Sequence, residues 1–183
     1  DLIGLPIEEL DTPALLLDRP ALRRNLRRMA AFFEGRRCRL RPHFKNHKCP
    51  ELAKRQLEAG NCVGMTCAKL GEAEVLADRG FDDLLVANQV VGARKIVRLV
   101  ELARRIRVKV AVDALGQAAS ISAAASSAGV TVGILVEVDI GMGRCGVGPG
   151  EPALELARAV RHLPGLRFEG IQAYEGHAVY TND

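Results

Sequence analysis

Basic and imidazole side chains are concentrated in one short segment of the chain, which reads Arg41-Pro42-His43-Phe44-Lys45-Asn46-His47-Lys48. The segment ends a strand-like run, 37–44, and precedes a helical pattern. An amine at a strand end becomes a nucleophile that forms Schiff bases when its pKa falls well below about 10.4. Arg41, His43 and Lys48, together with partial burial, would lower the pKa of Lys45 in this way. On composition alone, a solvated basic loop is the commoner interpretation.

Further polar residues stand at the ends of later strand-like runs. Arg144 lies in the glycine-rich turn 141–146, which follows an acidic strand-like run. Such a turn can bind a phosphate group through its backbone N–H groups. It is not a GxGxxG sequence followed by the required acid, which argues against a Rossmann site. Gln89, Tyr174 and His177 end or follow other runs, at the rim where barrels of alternating strands and helices build their active sites.

Histidines and cysteines do not complete a recognised metal site in this sequence. His43, His47 and Cys49 are neighbours, but their spacing lacks a full zinc ligand set. The chain has five cysteines and no CxxC pair. Four of them lie in or beside apolar runs and are predicted to be small buried side chains: Cys38, Cys62, Cys67 and Cys145. Thiols used in this way fit a reducing compartment.

Composition argues against nucleic acid and membrane partners. The 183 residues carry a formal charge of +4, but the arginines recur at helical spacing, as in 23–28, and are typical of solvated helix faces. Aromatic residues make up 4% of the chain and tryptophan is absent, so a base-stacking surface is not expected. No apolar run approaches the roughly 20 residues of a membrane span. The N-terminus lacks the features of a signal peptide, so we expect a cytoplasmic protein.

Strand-like and helical patterns alternate along the chain. The predicted strands are 12–18, 37–44, 63–68, 84–87, 108–112, 130–139 and 166–173. The predicted helices are 20–33, 50–59, 71–79, 93–105, 117–128 and 152–160. Repeated strand–helix units predict an α/β fold with a parallel sheet and helical crossovers. Both a doubly wound sheet and a (β/α)8 barrel satisfy this pattern.

The strand side chains favour the barrel. In 108–113 the valines share one face, while Lys109 and Asp113 share the other; in the run 136–140, Glu137 and Asp139 form a similar polar face. Strands of a doubly wound sheet are usually apolar on both faces. A polar inner face therefore predicts a TIM-type barrel whose interior approaches a charged ligand.

Four motifs in order resemble the D-threonine aldolase and D-serine dehydratase family of fold-type III pyridoxal-phosphate (PLP) enzymes, relatives of alanine racemase. The motifs are 11–14, 41–48, 67–73 and 141–147. The resemblance implies an alanine racemase-type barrel followed by a C-terminal β domain. After the leading strand and helix we count six strands, whereas a complete barrel has eight strands and about 250 residues. We therefore expect an incomplete barrel over 19–183, with the strand in 1–18 joining a β domain that is missing from this fragment.

The resemblance also implies roles for individual residues. Lys45 would hold PLP through a Schiff base, with His43 beside the cofactor's edge as a second catalytic residue. Arg144 would contact the phenolic oxygen, where a guanidinium stabilises negative charge, and Tyr174 would stack on the pyridine ring. His177 and Gln89 are candidates for substrate contacts. A divalent metal such as Mn, Mg or Zn is expected in the full-length protein, with ligands outside this chain.

The function implied is a PLP-dependent lyase that cleaves a D-β-hydroxy amino acid into glycine and an aldehyde, as D-threonine aldolase does. Alternatives are a D-serine dehydratase, a D-3-hydroxyaspartate aldolase, a non-catalytic PLP-binding protein, and an anion-binding module without PLP. The partner would be a small D-amino acid, and the full-length protein would form a homodimer. The 183-residue chain alone is expected to be inactive.

Overall fold

A computed structural model describes residues 3–181 as an α/β structure with one parallel sheet. Its five strands are β1 Met65–Cys67, β2 Asp83–Gln89, β3 Arg107–Val112, β4 Val132–Val138 and β5 Leu166–Ala173. Six helices separate and precede them: α1 Arg19–Phe33, α2 Pro50–Glu58, α3 Leu70–Asp78, α4 Ala93–Arg105, α5 Leu115–Ser127 and α6 Glu151–Arg161. The strands follow one another in the sheet in chain order. A doubly wound sheet reverses its order at a switch point, so this topology is that of a partial barrel.

Helix positions confirm the periodicity of the sequence. Asp18 caps α1, because its carboxylate accepts a hydrogen bond of 2.9 Å from the backbone N–H of Ala21. Pro20 occupies the first turn, where a missing N–H costs nothing.

Among the described residues, no helix combines the length and the apolar character needed to cross a bilayer.

The expected strand 12–18 is wrong for the described part of the chain. The segment bends at Thr12 and Pro13 and joins no ladder, and the side chain of Leu15 is fully exposed. A strand exists only where a second backbone supplies hydrogen bonds, and the described residues offer none to this run. Its pairing with a C-terminal β domain stays a prediction.

The predicted strand 37–44 shrinks to two isolated bridges, one between Leu40 and Cys62 and one between His43 and Thr66. Pro42 lies between them and has no N–H to donate to a ladder. The chain then turns into a 3-10 helix, Phe44–Asn46. The six expected strands are therefore five strands and one bridged segment.

The core lies between the outer face of the sheet and the helices. Val108, Val110 and Val112 of β3 are buried there, as the alternation predicts. Burial of each such side chain contributes about 1.5–3 kcal/mol. The sheet packs against α3 to α6, whereas α1 buries no residue fully.

The inner face is polar, but only part of it lies at the ligand end of the strands. Asp83, Lys109 and Glu169 form ion pairs on the N-terminal halves of β2, β3 and β5. Asp113 and Glu137 lie beyond them, near the C-terminal strand ends. Lys109 is thus engaged in ion pairs away from the C-terminal strand ends, while an approach of a ligand to Asp113 and Glu137 stays a prediction.

The cysteines are less uniformly buried than expected. Cys67 is fully buried in β1, and burial raises the pKa of its thiol to about 12. Cys62 and Cys145 are half-buried. Cys38 is exposed, because it lies in a bend before the first bridge rather than in a strand that packs on the core.

Candidate active site

Five of the six candidate site residues line one cavity of about 570 Å³ at the C-terminal ends of the strands. They are His43, Lys45, Gln89, Arg144 and Tyr174. Thr66, Leu85 and Gln172 complete much of its wall. In barrels of this kind, that end of the sheet carries the active site. The fold thus brings together residues that are up to 131 positions apart in the chain, from His43 to Tyr174.

Lys45 reaches this cavity from the 3-10 turn that follows the bridged segment. Phe44, at the start of the turn, is 2% exposed and anchors it in the core. The backbone N–H of Lys45 donates to Nδ1 of His43 over 3.2 Å. Arg41, expected from the sequence to be a charged neighbour of Lys45, is engaged elsewhere. Its guanidinium is paired with Asp83 at 2.7 Å, so its charge is compensated there.

His43 is a neutral imidazole rather than a positive neighbour. Burial lowers its pKa, and the charge of Lys45 lowers it further, against smaller opposing effects of Glu72 and the Thr66 backbone. Nδ1 accepts the hydrogen bond from Lys45 N–H, so the proton of the neutral ring sits on Nε2. His43 can therefore offer the cavity wall a hydrogen-bond donor without a charge.

Arg144 joins a carboxylate to an aromatic ring. Its guanidinium carbon lies 5.0 Å from the centroid of the Tyr174 ring, and Nη2 lies 3.9 Å from Oε1 of Glu137. A hydrogen bond with the thiol of Cys145 raises the pKa of Arg144; burial opposes this, and the charge of Glu137 adds a smaller upward effect. A cation held between a ring face and a carboxylate is fixed in orientation.

The glycine-rich turn positions Arg144 through backbone hydrogen bonds. Oδ1 of Asp139 accepts from the N–H groups of Gly141 and Gly143, each over 3.0 Å. These bonds lower the pKa of Asp139 despite some desolvation. Gly146 has a φ of +108°, and a Cβ there would lie 2.5 Å from the backbone nitrogen of Asp139. The tight return of the chain past its own strand requires glycine at this position.

Gln89 links two carboxylates behind the cavity. Its Nε2 donates to Oδ2 of Asp113 over 3.1 Å and to Oε2 of Glu137 over 2.7 Å. Gly146 N–H also donates to Asp113, and the thiol of Cys145 to Glu137. From the sequence, Asp113 and Glu137 were predicted only as members of a polar inner face, and Cys145 only as a small buried side chain. Their inward position at strand ends was the available signal.

His177 does not line the cavity. It lies against the glycine-rich turn, with Nε2 3.1 Å from the point where a Cβ on Gly141 would stand. A contact with substrate stays a prediction for this residue. Lys48 lines a neighbouring cavity of about 580 Å³, which also contains Lys69 and Arg98.

The weak metal hypothesis for the basic segment gains no support. Nε2 of His47 lies 3.0 Å from Oε1 of Gln56, and Nδ1 accepts from the N–H of Cys49. Both ring nitrogens of His47 therefore have protein partners. Within residues 3–181, no group of three or more His, Cys, Asp or Glu side chains is arranged to hold a metal ion.

Comparison with known proteins finds relatives that match nearly the whole chain. D-threonine aldolase of Arthrobacter sp. is 43% identical over 173 residues, which are 94% of this chain and 45% of the relative. 3-Hydroxy-D-aspartate aldolase of Paracoccus denitrificans is 43% identical over 174 residues, with the same shares. The crystal structure of D-threonine aldolase from Filomicrobium marinum superposes with a TM-score of 0.92 at 47% identity, over 96% of this chain and 47% of that one.

The chain spans about half the length of the curated relatives it matches. The sequence profile of the alanine racemase N-terminal domain matches residues 17–183. That range contains the whole described sheet, the bridged segment with Lys45 and the glycine-rich turn with Arg144. The chain belongs to the alanine racemase N-terminal domain family.

Proposed function

We propose that the protein to which this chain belongs is a PLP-dependent aldolase that cleaves a D-β-hydroxy amino acid, such as D-threonine, into glycine and an aldehyde. One observation carries the proposal. Lys45, Arg144 and Tyr174 converge on a single cavity in a chain that is 43% identical to a D-threonine aldolase. The family implies PLP as cofactor.

The cavity residues fit this cofactor. A volume of about 570 Å³ lies within the usual range of roughly 300–1,000 Å³ for small-molecule sites. The wall offers an amine, a guanidinium, an aromatic face and a neutral imidazole. These groups match an aldehyde, a phenolate oxygen and a flat heteroaromatic ring.

Each side chain has a distinct task in this proposal. Lys45 would hold the cofactor covalently, and Tyr174 would pack against its ring. Arg144, oriented by Glu137 and Tyr174, would donate to the phenolic oxygen. His43 would donate from Nε2 without adding a charge beside Lys45. When bound, PLP supplies the electron sink that makes cleavage of the substrate Cα–Cβ bond accessible.

Two aldolase reactions are candidates for this protein, and they differ only in the substrate that is cleaved. The 3-hydroxy-D-aspartate aldolase is as similar to this chain as the D-threonine aldolase is, at 43% identity. The full-length protein, loaded with PLP, should be assayed with D-threonine, 3-hydroxy-D-aspartate and D-serine. Glycine with acetaldehyde or with glyoxylate supports an aldolase and names its substrate. Release of ammonia from D-serine instead would indicate a dehydratase, and PLP binding without turnover a silent binding protein.

The proposal has four further parts. The full-length protein would bind a divalent metal ion, contain a C-terminal β domain that pairs with residues 1–18, form a homodimer and be cytoplasmic. A metal ion would stabilise charge on the substrate's β-oxygen. Activity of the full-length protein should then fall after treatment with a chelator and return with Mn²⁺, Mg²⁺ or Zn²⁺. Activity that survives exhaustive chelation would remove the metal from the proposal.

A further inference from the structure

The segment that carries Lys45 is joined to the sheet by few backbone hydrogen bonds. Two connect Leu40 to the chain beside it, with Asn61 and Val63, and a third runs from Thr66 N–H to Pro42 carbonyl over 2.7 Å. Beyond His43, the described backbone bonds of the turn are local ones within residues 43–48. By contrast, β4 and β5 are paired along seven residues. The segment that carries Lys45 is thus paired more weakly than the strands of the sheet.

A side-chain ion pair supplements this backbone pairing. Nη1 of Arg41 donates to Oδ1 of Asp83 over 2.7 Å and to the Asp83 carbonyl over 3.2 Å. The two side chains are 18% and 16% exposed, so solvent screens the pair only partly. Asp83 is the first residue of β2, whereas the Lys45 segment lies beside β1. Arg41 therefore reaches across β1 to anchor the segment to the second strand.

A glycine leaves room for the contact between Arg41 and Asp83. Gly64 lies immediately before β1, and a Cβ at this residue would stand 2.6 Å from Nη1 of Arg41 and 2.2 Å from the carbonyl oxygen of Asp83. A side chain there would displace the guanidinium from its partner. The absence of one at Gly64 gives Arg41 its path to β2.

Asp83 also forms an ion pair with Lys109 of β3. Nζ of Lys109 donates to Oδ1 of Asp83 over 2.8 Å, and Glu169 lies 3.5 Å from the same ammonium. Burial disfavours the charged carboxyl of Asp83, but hydrogen bonds from Arg41 and Lys109 outweigh it and lower its pKa. The carboxylate is thus ionised at neutral pH and fixed by β3 when Arg41 docks on it.

We propose that Asp83 is a positioning residue for Lys45, acting through Arg41. The inference rests on the proposed function, because it concerns the lysine that would bind PLP. Arg41 precedes Lys45 by four residues, and Lys45 lies in the 3-10 turn that follows Arg41. Release of the guanidinium frees the segment from β2 and lets the amine leave its position opposite Arg144 and Tyr174. Small displacements of a reacting group reduce rates by as much as about 100-fold.

A double-mutant cycle in the full-length protein tests the coupling. Asp83→Asn and Arg41→Met should each weaken PLP binding and slow borohydride trapping of PLP on Lys45, on the order of 10-fold. The double variant should lose no more than either single variant, because both remove the same contact. Arg41→Lys, which keeps the charge but not the forked geometry, should fall between wild type and Arg41→Met.

Glu169→Gln is the matched control. It removes a charge from the same ion cluster without contacting Arg41, so it should lower Tm and leave trapping on Lys45 unchanged. Amide hydrogen exchange without PLP gives a second readout: residues 40–47 should exchange faster in Asp83→Asn than in Glu169→Gln. Wild-type trapping and exchange in Asp83→Asn would overturn the inference. Failure of the wild-type protein to bind PLP would instead overturn the proposed function, while the exchange experiment would still decide the tether.

Discussion

Lys45 and Lys48 are three residues apart, and their side chains line two different cavities. Lys45 lies in the 3-10 turn Phe44–Asn46, and Lys48, beyond the turn, adopts a left-handed backbone with a φ of +50°. Lys45 shares its cavity with Arg144 and Tyr174, whereas Lys48 shares its own with Lys69 and Arg98. Within one basic segment, backbone geometry thus directs Lys45, and not Lys48, to the cavity that Arg144 and Tyr174 line.

Arg144→Leu should change the titration of bound PLP. The variant removes a cation held 3.9 Å from Glu137, and with it the charge-assisted hydrogen bond that we propose Arg144 makes to the phenolic oxygen. We expect weaker cofactor retention and a shift in the pH dependence of the visible absorbance of PLP-loaded full-length protein.

The control for Arg144→Leu is Arg158→Leu on α6. Arg158 forms an exposed pair with Glu151 at 3.2 Å and is remote from the cavity. Its absorbance–pH curve should match that of the wild type. Superimposable curves for Arg144→Leu and wild type would contradict the assigned position of Arg144.

Gly133→Ala should destabilise the fold. A Cβ at this position in β4 would lie 2.8 Å from both Oε1 of Glu169 and Cγ of Lys109, so the ion cluster on the inner face would have to move. Overpacking of this kind costs about 1–3 kcal/mol, which urea denaturation can measure. Gly116→Ala is the control, because nothing lies within 4 Å of its added methyl group and α5 favours alanine. An equal stability for the two variants would show that the inner face accommodates the methyl group.

Acid should weaken the Asp83 contacts in a defined direction. The pKa of Asp83 is lower in the folded protein than its ordinary value, so the folded state is stabilised above that ordinary value, near 4. This stabilisation is lost as the pH falls through the lowered pKa. Wild type should therefore lose more stability between pH 7 and pH 3 than Asp83→Asn does, as measured by urea denaturation at each pH. Asp82 is adjacent to Asp83 and exposed, so Asp82→Asn should follow the wild-type curve. If Asp83→Asn lost as much stability as the wild type over this pH range, the prediction would be refuted.

The periodicity of the sequence was sufficient to predict most of the fold. Alternating valines in β3 and the capping signal of Asp18 and Pro20 are local, and the structure confirms both. The 12–18 run carries the same kind of apolar signal, but a strand also depends on a partner backbone that no local pattern reveals. The run 37–44 contains one proline, but the sequence did not show that the run would form only two bridges.

The site was predictable to the extent that its residues end strands. Gln89 ends β2 and Tyr174 follows β5, whereas Lys45 and Arg144 lie in turns beyond the bridged segment and β4; they share a cavity because these segments meet at the same edge of the parallel sheet. Contacts between remote charges were not predictable. Arg41 was expected to act on its sequence neighbour Lys45, but Asp83, 42 residues away, holds it instead. The sequence shows which residues face inward, while only the register of the strands decides which of them meet.

The central claim is that Lys45 is the residue to which PLP binds. The most direct measurement is borohydride reduction of the PLP-treated full-length protein, followed by mass-spectrometric mapping of the labelled peptide. The label should be on Lys45, and it should disappear in Lys45→Ala but persist in Lys48→Ala. Stoichiometric label on Lys48, or undiminished specific label in Lys45→Ala, would contradict the account.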